Sequence, residues 1–337
     1  MIQHENGVFL LKNDTLSCLL RINACGKLEQ LHLGGPVTLG DAAAFVPPAG
    51  PGWGSSVLLD DSDNGSCMDT MPLAWSGSGR GDYRESPLEA GTATDLRYAG
   101  FEILDGTVPM TSGLPQATDG GETLIVTMEQ PGLRVKLFFT LFDTALTRRT
   151  VVENTGAEPL TVTKVMSAMA DLPGSYEMTT FDGGWIAEMR KHTLPVLDSR
   201  VVNESTTGFS SNRHNPGFLL SEPGATEESG TVYGFNLVYS GNHYGSAQRS
   251  LQGFTRVMQG ISPDHFAVTL APGEAFETPE AVDFAVLCGS EPFRSWLGDR
   301  HYTVREVRPM SPHQLSHQRP CSLGVDLLDR NSAKAQT

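Results

Sequence analysis

The sequence lacks a long apolar run, a basic leader and paired cysteines. In the 337-residue sequence, no apolar stretch approaches the roughly 18 uninterrupted apolar residues that a membrane-spanning helix needs. The N-terminus shows no basic and then apolar start typical of a secretory signal. The five cysteines are odd in number and scattered, without a Cys-x-x-Cys pair, which argues against a disulfide framework and a zinc site. We therefore expect a soluble, cytoplasmic protein without a membrane partner.

Positive charge is also scarce. Lysine and arginine number 24 against 39 aspartates and glutamates, which gives a formal net charge of −15. There is no basic stripe with interleaved aromatic residues, so we expect no nucleic-acid partner. Glycine loops that cradle phosphates are missing, and the acidic run from Asp60 has Met71 where a calcium loop requires a bidentate Glu. The sequence predicts no metal and no cofactor.

What the sequence does contain is a period-two alternation of apolar and polar residues. Runs of this kind occur at 8–11, 15–22, 27–33, 123–128, 133–139, 148–152, 160–165, 232–239, 254–258 and 281–287. Turn residues such as Pro131-Gly132 separate several of them at hairpin distance. Many short strands with almost no helical periodicity predict an all-β fold, a large antiparallel β-sandwich or super-sandwich. We expect one domain over 1–305, with a short helix near 291–300, and a disordered, irregular C-terminal tail over 306–337.

A weakly periodic region rich in Gly, Pro and Ser, from about 47 to 81, is long enough to predict a function. Three carboxylates, Asp69, Asp82 and Glu85, lie in or just after it, close to Trp75, Tyr83 and Arg84. An aromatic face beside carboxylates and an arginine suits a sugar, because the apolar ring face stacks while the hydroxyl groups form hydrogen bonds. The candidate substrate-binding residues are Asp69, Trp75, Asp82 and Arg84. Alternatively, a buried Trp and a salt bridge hold this loop on the sandwich.

Several motifs resemble the N-terminal domain of family 36 glycoside hydrolases, the α-galactosidases that act on raffinose and melibiose. One is Leu146-Thr147-Arg148-Arg149-Thr150-Val151-Val152-Glu153-Asn154-Thr155-Gly156. Others lie at 166–168, 210–216, 232–242 and 270–281, in the order that the family shows. The loop resembles the family's Leu-Asp-Thr-Leu-Pro and Gly-Asp-Phe-Arg segments, here Met68-Asp69-Thr70-Met71-Pro72 and Gly81-Asp82-Tyr83-Arg84. Ala74 and Asn212 replace the family's usual Glu and His.

The resemblance implies how such a chain would act. In the family this loop approaches an active site, often that of a neighbouring subunit in a tetramer, which implies sugar contact by Asp69 and Arg84. In the family, a (β/α)₈ barrel after this domain supplies both catalytic aspartates. The nucleophile lies in a Lys-Trp-Asp strand end, and the acid/base lies beyond a glycine-rich stretch. Neither motif occurs in this sequence. The resemblance therefore implies a fragment truncated before the catalytic barrel, with no catalytic residue of its own.

We expect the N-terminal, non-catalytic portion of an α-galactosidase, which contributes to assembly and to the substrate pocket. Its expected partners are α-galactoside sugars and either the missing barrel or further copies of the chain. Two alternatives remain open. One is a free-standing carbohydrate-binding module, and the other is a mutarotase-like sugar epimerase that uses a His and a carboxylate.

Overall fold

Antiparallel strands make up most of the structure. The computed structural model describes residues 1–48, 57–60, 63–91, 93–187, 190–209, 213–226 and 229–287. The helix predicted near 291–300, the predicted disordered tail and Asn212 lie outside the described residues. The boundary between a domain over 1–305 and a tail over 306–337 therefore stays a prediction.

Most strands follow one another with short connections, and longer ones lie between β4 and β5, β6 and β7, and β8 and β9. The strands in chain order are β1 Ile2–Glu5, β2 Val8–Lys12, β3 Ser17–Ile22, β4 Leu28–Gly34, β5 Leu58–Asp60, β6 Asp63–Cys67, β7 Leu88–Ala90, β8 Arg97–Asp105, β9 Glu122–Gln130, β10 Leu133–Leu141, β11 Leu146–Asn154, β12 Leu160–Pro173, β13 Glu177–Asp182, β14 Arg190–Pro195, β15 Val201–Glu204, β16 His214–Ser221, β17 Thr231–Val238, β18 His243–Arg249, β19 Phe254–Ile261, β20 Val268–Leu270, β21 Ala275–Glu277 and β22 Glu280–Leu287. One short helix, α1 (Ala42–Phe45), and two 3₁₀ turns, Leu39–Asp41 and Met68–Thr70, interrupt them.

The strands form two large sheets and two small ones. The ten-stranded sheet has the order β14-β13-β16-β17-β22-β11-β10-β9-β8, with β21 added on β11. The six-stranded sheet has the order β15-β18-β19-β12-β20, with β7 added on β12. Strands β1 to β4 form a meander, and β5 pairs with β6. The prediction of a large antiparallel β-sandwich is confirmed.

The alternation of apolar residues explains how the sheets pack. The hairpin of β9 and β10 turns at Pro131-Gly132, where Gly132 has φ +81°, a left-handed conformation that glycine adopts without steric cost. Its inward side chains join one core with those of both large sheets and of the N-terminal meander. The sheets approach closely at Gly245, where an added Cβ would lie 2.6 Å from the ring of Phe218. None of the described helices has the length and apolarity needed to cross a membrane.

Candidate functional site

The segment between β6 and β7, residues 68–86, forms what we call the anchored loop. Its backbone extends the meander beyond β4, because the Gln30 N–H donates to the Pro72 carbonyl at 2.8 Å and the Ala74 N–H donates to the Leu28 carbonyl at 3.0 Å. Trp75, within the same stretch, is buried in the common core. The loop is therefore an ordered part of the sandwich.

Arg256 on β19 links the anchored loop to the six-stranded sheet. Its side chain is 1% exposed. The Nε and Nη2 atoms donate to the two carboxylate oxygens of Asp171 on β12, each at 2.8 Å. The Nη1 atom donates to Asp82 Oδ2 at 2.8 Å and to the Glu85 carbonyl at 2.9 Å. Since Asp171 and Arg256 are cross-strand partners, the register of β12 against β19 sets this geometry.

A second guanidinium group, that of Arg84, closes the cluster. Its Nε donates to Asp82 Oδ1 at 2.8 Å, and its Nη1 donates to Asp171 Oδ2 at 2.8 Å. Arg84 also donates to the carbonyls of Met68, at 2.6 Å, and Met71, at 2.9 Å. Two arginines and two aspartates thus alternate in a closed, buried set. The start of the loop is tied to its end through the same charges.

The charges of this cluster decide the protonation of Asp82. Burial disfavours the ionised carboxylate, but the adjacent Arg256 and Arg84 outweigh burial and lower the pKa of Asp82 to about 2. The carboxylate is therefore ionised at neutral pH, and both of its oxygens accept hydrogen bonds from guanidinium groups. It holds no proton to give to a leaving group, so it is not suited to general acid catalysis.

Glu85 anchors the end of the loop through a second set of contacts. Its Oε1 accepts hydrogen bonds from Lys164 Nζ at 2.7 Å, the Tyr244 hydroxyl at 2.7 Å and Arg200 Nη1 at 3.0 Å. Its Oε2 accepts one from the Ser246 hydroxyl at 2.7 Å. Burial disfavours the charge, but Lys164 and these hydrogen bonds keep the pKa of Glu85 below its usual value. Burial together with Glu85 raises the pKa of Tyr244 to about 12.

The structure does not bring the four candidate substrate-binding residues onto one open surface. Asp69 is half-buried at the 3₁₀ turn, whereas the side chains of Trp75, Asp82 and Arg84 are buried. The alternative in which a buried Trp and a salt bridge hold the loop describes the contacts that are present. Direct sugar contact by these four residues stays a prediction.

Sequence reasoning missed the partners that fix the loop. Asp171, Arg256, Lys164 and Tyr244 come from strands far along the chain, and no motif joins them to the loop. The alternation of β19 places Arg256 between apolar neighbours, which is a weak signal of a buried charge. Sequence reasoning also missed a pair of a histidine and a carboxylate: His192 Nε2 on β14 lies 3.0 Å from Asp182 Oδ1 on β13. Among the described residues, no group of three His, Cys, Asp or Glu side chains is placed to bind a metal.

Superposition on solved structures places the fold of this chain in the class of β-sandwich domains that occur in glycoside hydrolases. Solved structures of this class superpose on it. The α-galactosidase AgaB of Geobacillus stearothermophilus matches with a TM-score of 0.80 and 29% identity, covering 86% of this chain and 41% of AgaB. A variant of AgaA from the same organism, in complex with raffinose, matches with a TM-score of 0.79 and 30% identity, covering 84% of this chain and 41% of AgaA.

The sequence comparison defines the family. The profile of the glycosyl hydrolase family 36 N-terminal domain matches residues 26–271, and the chain belongs to this family. A probable α-galactosidase G of Aspergillus terreus is 32% identical over 271 residues, which cover 76% of this chain and 35% of that protein. AgaA of Geobacillus stearothermophilus is 35% identical over 237 residues, 66% of this chain and 32% of AgaA. The chain thus spans about a third of the length of these curated relatives.

Proposed function

We propose that this domain is the non-catalytic N-terminal part of an α-galactosidase and that the anchored loop forms one wall of the substrate pocket in the complete enzyme. The relatives that share the domain are named α-galactosidases, and the shared region is their N-terminal domain. The observation that carries the proposal is the rigid attachment of the loop by buried charges. Because such a wall is already ordered, its side chains are in position and little conformational entropy is lost when substrate binds.

The four candidate residues take different roles in this proposal. Asp69, half-buried at the start of the loop, contacts sugar hydroxyl groups. Trp75, Asp82 and Arg84 are positioning residues, because their side chains are buried and the two charged ones make ion pairs inside the domain. Tyr83, whose side chain is 64% exposed between the two buried charges, extends the wall with an aromatic face.

The proposed substrate is an α-galactoside of the raffinose type. AgaA structures are described as complexes with raffinose and with stachyose, and AgaA covers most of the described sandwich. The proposed partner is a catalytic barrel, or further copies of the chain in a homo-oligomer. We also propose a reducing, cytoplasmic location, since Cys18 is a buried free thiol.

A turnover assay tests the non-catalytic role. The purified 337-residue chain is incubated with an aryl α-galactoside, with AgaA as the positive control. We expect no release of the aryl group above buffer, because the buried carboxylates of the anchored loop are ionised and fully paired. Clear turnover that is abolished by replacing a single acidic residue would contradict the proposal.

A further inference from the structure

A second cluster of functional groups lies at the hairpin of β13 and β14. The tip is a tight turn in which the Gly184 N–H donates to the Ala187 carbonyl at 3.3 Å and the Ala187 N–H donates to the Gly184 carbonyl at 2.8 Å. Its two central residues are Trp185, 89% exposed, and Ile186, 72% exposed. Such turns favour Asn and Gly, yet Ile186 has φ +67°. A β-branched residue is strained in this conformation, so the sequence of the tip is not the one that would stabilise the turn most.

Polar side chains stand next to this tip. Asp182, the last residue of β13, is the cross-strand partner of His214 on β16. On its other side, His192 Nε2 lies 3.0 Å from Asp182 Oδ1. The Gly183 N–H donates to the Arg213 carbonyl at 3.3 Å, which holds the tip beside the start of β16. One carboxylate and two imidazoles therefore lie together at this end of the ten-stranded sheet.

The facing sheet adds a buried imidazole to the same end of the sandwich. His243, the first residue of β18, is 1% exposed, and neither of its ring nitrogens has a hydrogen-bond partner among the described residues. The two sheets are joined here, because Asn203 Nδ2 donates to the carbonyl of Asn215, next to His214, at 2.7 Å. Burial, with a contribution from His214, lowers the pKa of His243 to about 4. The ring is therefore neutral, with one donor and one acceptor unused.

A second exposed aromatic residue flanks the cluster. Phe209 lies on the loop after β15 and is more than half exposed. This loop is held beside β18, since the Gly208 N–H donates to Asn242 Oδ1 at 2.6 Å and the Ser205 N–H donates to the His243 carbonyl at 3.0 Å. The rim site, as we call it, consists of Asp182, Trp185, His192, Phe209, His214 and His243.

We propose that the rim site binds a neutral sugar ring of an oligosaccharide. Exposed indole and phenyl faces suit the apolar face of a pyranose, and the adjacent carboxylate of Asp182 and the exposed imidazoles of His192 and His214 supply acceptors and donors for its hydroxyl groups. A surface that docked another protein chain through Trp185 alone would not need this polar set, and burying it would carry a desolvation cost. The inference goes beyond the proposed function, which concerns the anchored loop.

Nuclear magnetic resonance of the full 337-residue chain tests the proposal. Raffinose and stachyose are titrated while the indole N–H signal of Trp185, identified by its loss in Trp185→Ala, is followed. We expect a saturable shift, and binding in Trp185→Ala or Asp182→Ala that is weaker by roughly tenfold or more. The control Leu251→Ala removes another largely exposed apolar side chain, at the β18–β19 turn, and should bind as the wild type does.

Three outcomes would overturn the rim site. The Trp185 signal could stay unchanged at tens of millimolar sugar, or Trp185→Ala and Asp182→Ala could bind sugar as tightly as wild type. In the third outcome, the Trp185 signal changes with protein concentration but not with sugar, and sedimentation shows a dimer that Trp185→Ala abolishes. These two results together would show that the tip docks a second copy of the chain. The aryl α-galactoside turnover assay tests the proposed non-catalytic role, and its result does not depend on whether the rim site binds sugar.

Discussion

Replacement of Arg256 by methionine is the sharpest perturbation of the anchored loop. Methionine has a similar length and no charge, so Arg256→Met leaves the carboxylates of Asp82 and Asp171 in the interior with one guanidinium group, that of Arg84, between them. Five hydrogen bonds disappear with the arginine, two of them to Asp171. The remaining buried negative charge is only partly compensated.

The buried charge that remains sets the size of the loss in unfolding free energy. Breaking a buried ion pair from one side costs about 3–5 kcal/mol, because the partner stays desolvated. At about 2 °C per kcal/mol for a chain of this size, the melting temperature should fall by about 6–10 °C. Arg256→Lys keeps the charge but not the bidentate pairing with Asp171, so its loss should lie between that of Arg256→Met and zero.

Thermal unfolding followed by circular dichroism measures the loss, and limited trypsin digestion at 25 °C reports cleavage at Arg80 and Arg84 within the loop. Arg134→Met is the matched control, since Arg134 pairs with Glu129 and Glu153 at the surface of the ten-stranded sheet and should cost less than about 1 kcal/mol. Equal melting temperatures for Arg256→Met and Arg134→Met, with no faster cleavage in the loop, would refute the reasoning.

Three further predictions concern other parts of the sandwich. His243 has a pKa of about 4 when folded against 6.5 when exposed, so the unfolded chain binds the proton first and stability falls, by up to about 3 kcal/mol, as pH drops from 6.5 to 4. Denaturant titrations should show a shallower fall for His243→Gln, and an unchanged slope would contradict this. Tyr244→Phe should remove from the alkaline absorbance titration one phenol that ionises near pH 12; a lost step centred near pH 10, the value of an exposed tyrosine, would count against the Glu85 contact. Gly77→Ala should destabilise by about 1–3 kcal/mol, since its Cβ would lie 1.7 Å from Thr94 Oγ1, whereas Gly100→Ala, with open space, should not.

The strands were predictable from the sequence because their side chains alternate. The runs at 123–128, 133–139, 148–152 and 160–165 correspond to β9, β10, β11 and β12. Each of these strands extends beyond its predicted run, since pairing continues where polar residues break the alternation. The helix α1 and the two 3₁₀ turns were missed, because segments of three or four residues are too short to show a helical period.

Charged residues inside strands were less predictable. Arg148 and Arg149 were recognised as part of a family motif, but their burial was not foreseen. Arg148 Nε lies 2.6 Å from Asp283 Oδ2, and Arg149 Nε lies 3.0 Å from Glu277 Oε1. These acids come from β21 and β22, more than a hundred residues away. Local pattern alone does not reveal that an arginine has such a partner.

The candidate site was predictable as a segment but not as an arrangement. Composition marked the region around Asp69 to Arg84 as unusual, and the resemblance attached it to sugar binding. The ring of Asp82, Arg84, Asp171 and Arg256 depends on the register of β12 against β19, which no local pattern specifies. The exposed Trp185 was not singled out, because exposure of a single aromatic residue is visible only in the folded chain.

Hydrogen exchange at the Leu73 amide tests the rigidity of the anchored loop most directly. This N–H donates to Asp171 Oδ2 at 2.9 Å, inside the ring of buried charges. If the loop is a preorganised wall of the pocket, Leu73 exchanges as slowly as the paired amides of β12 and β19, and much faster in Arg256→Met. Exchange of Leu73 in the wild-type protein at the rate of an open, solvated loop would contradict the proposed role.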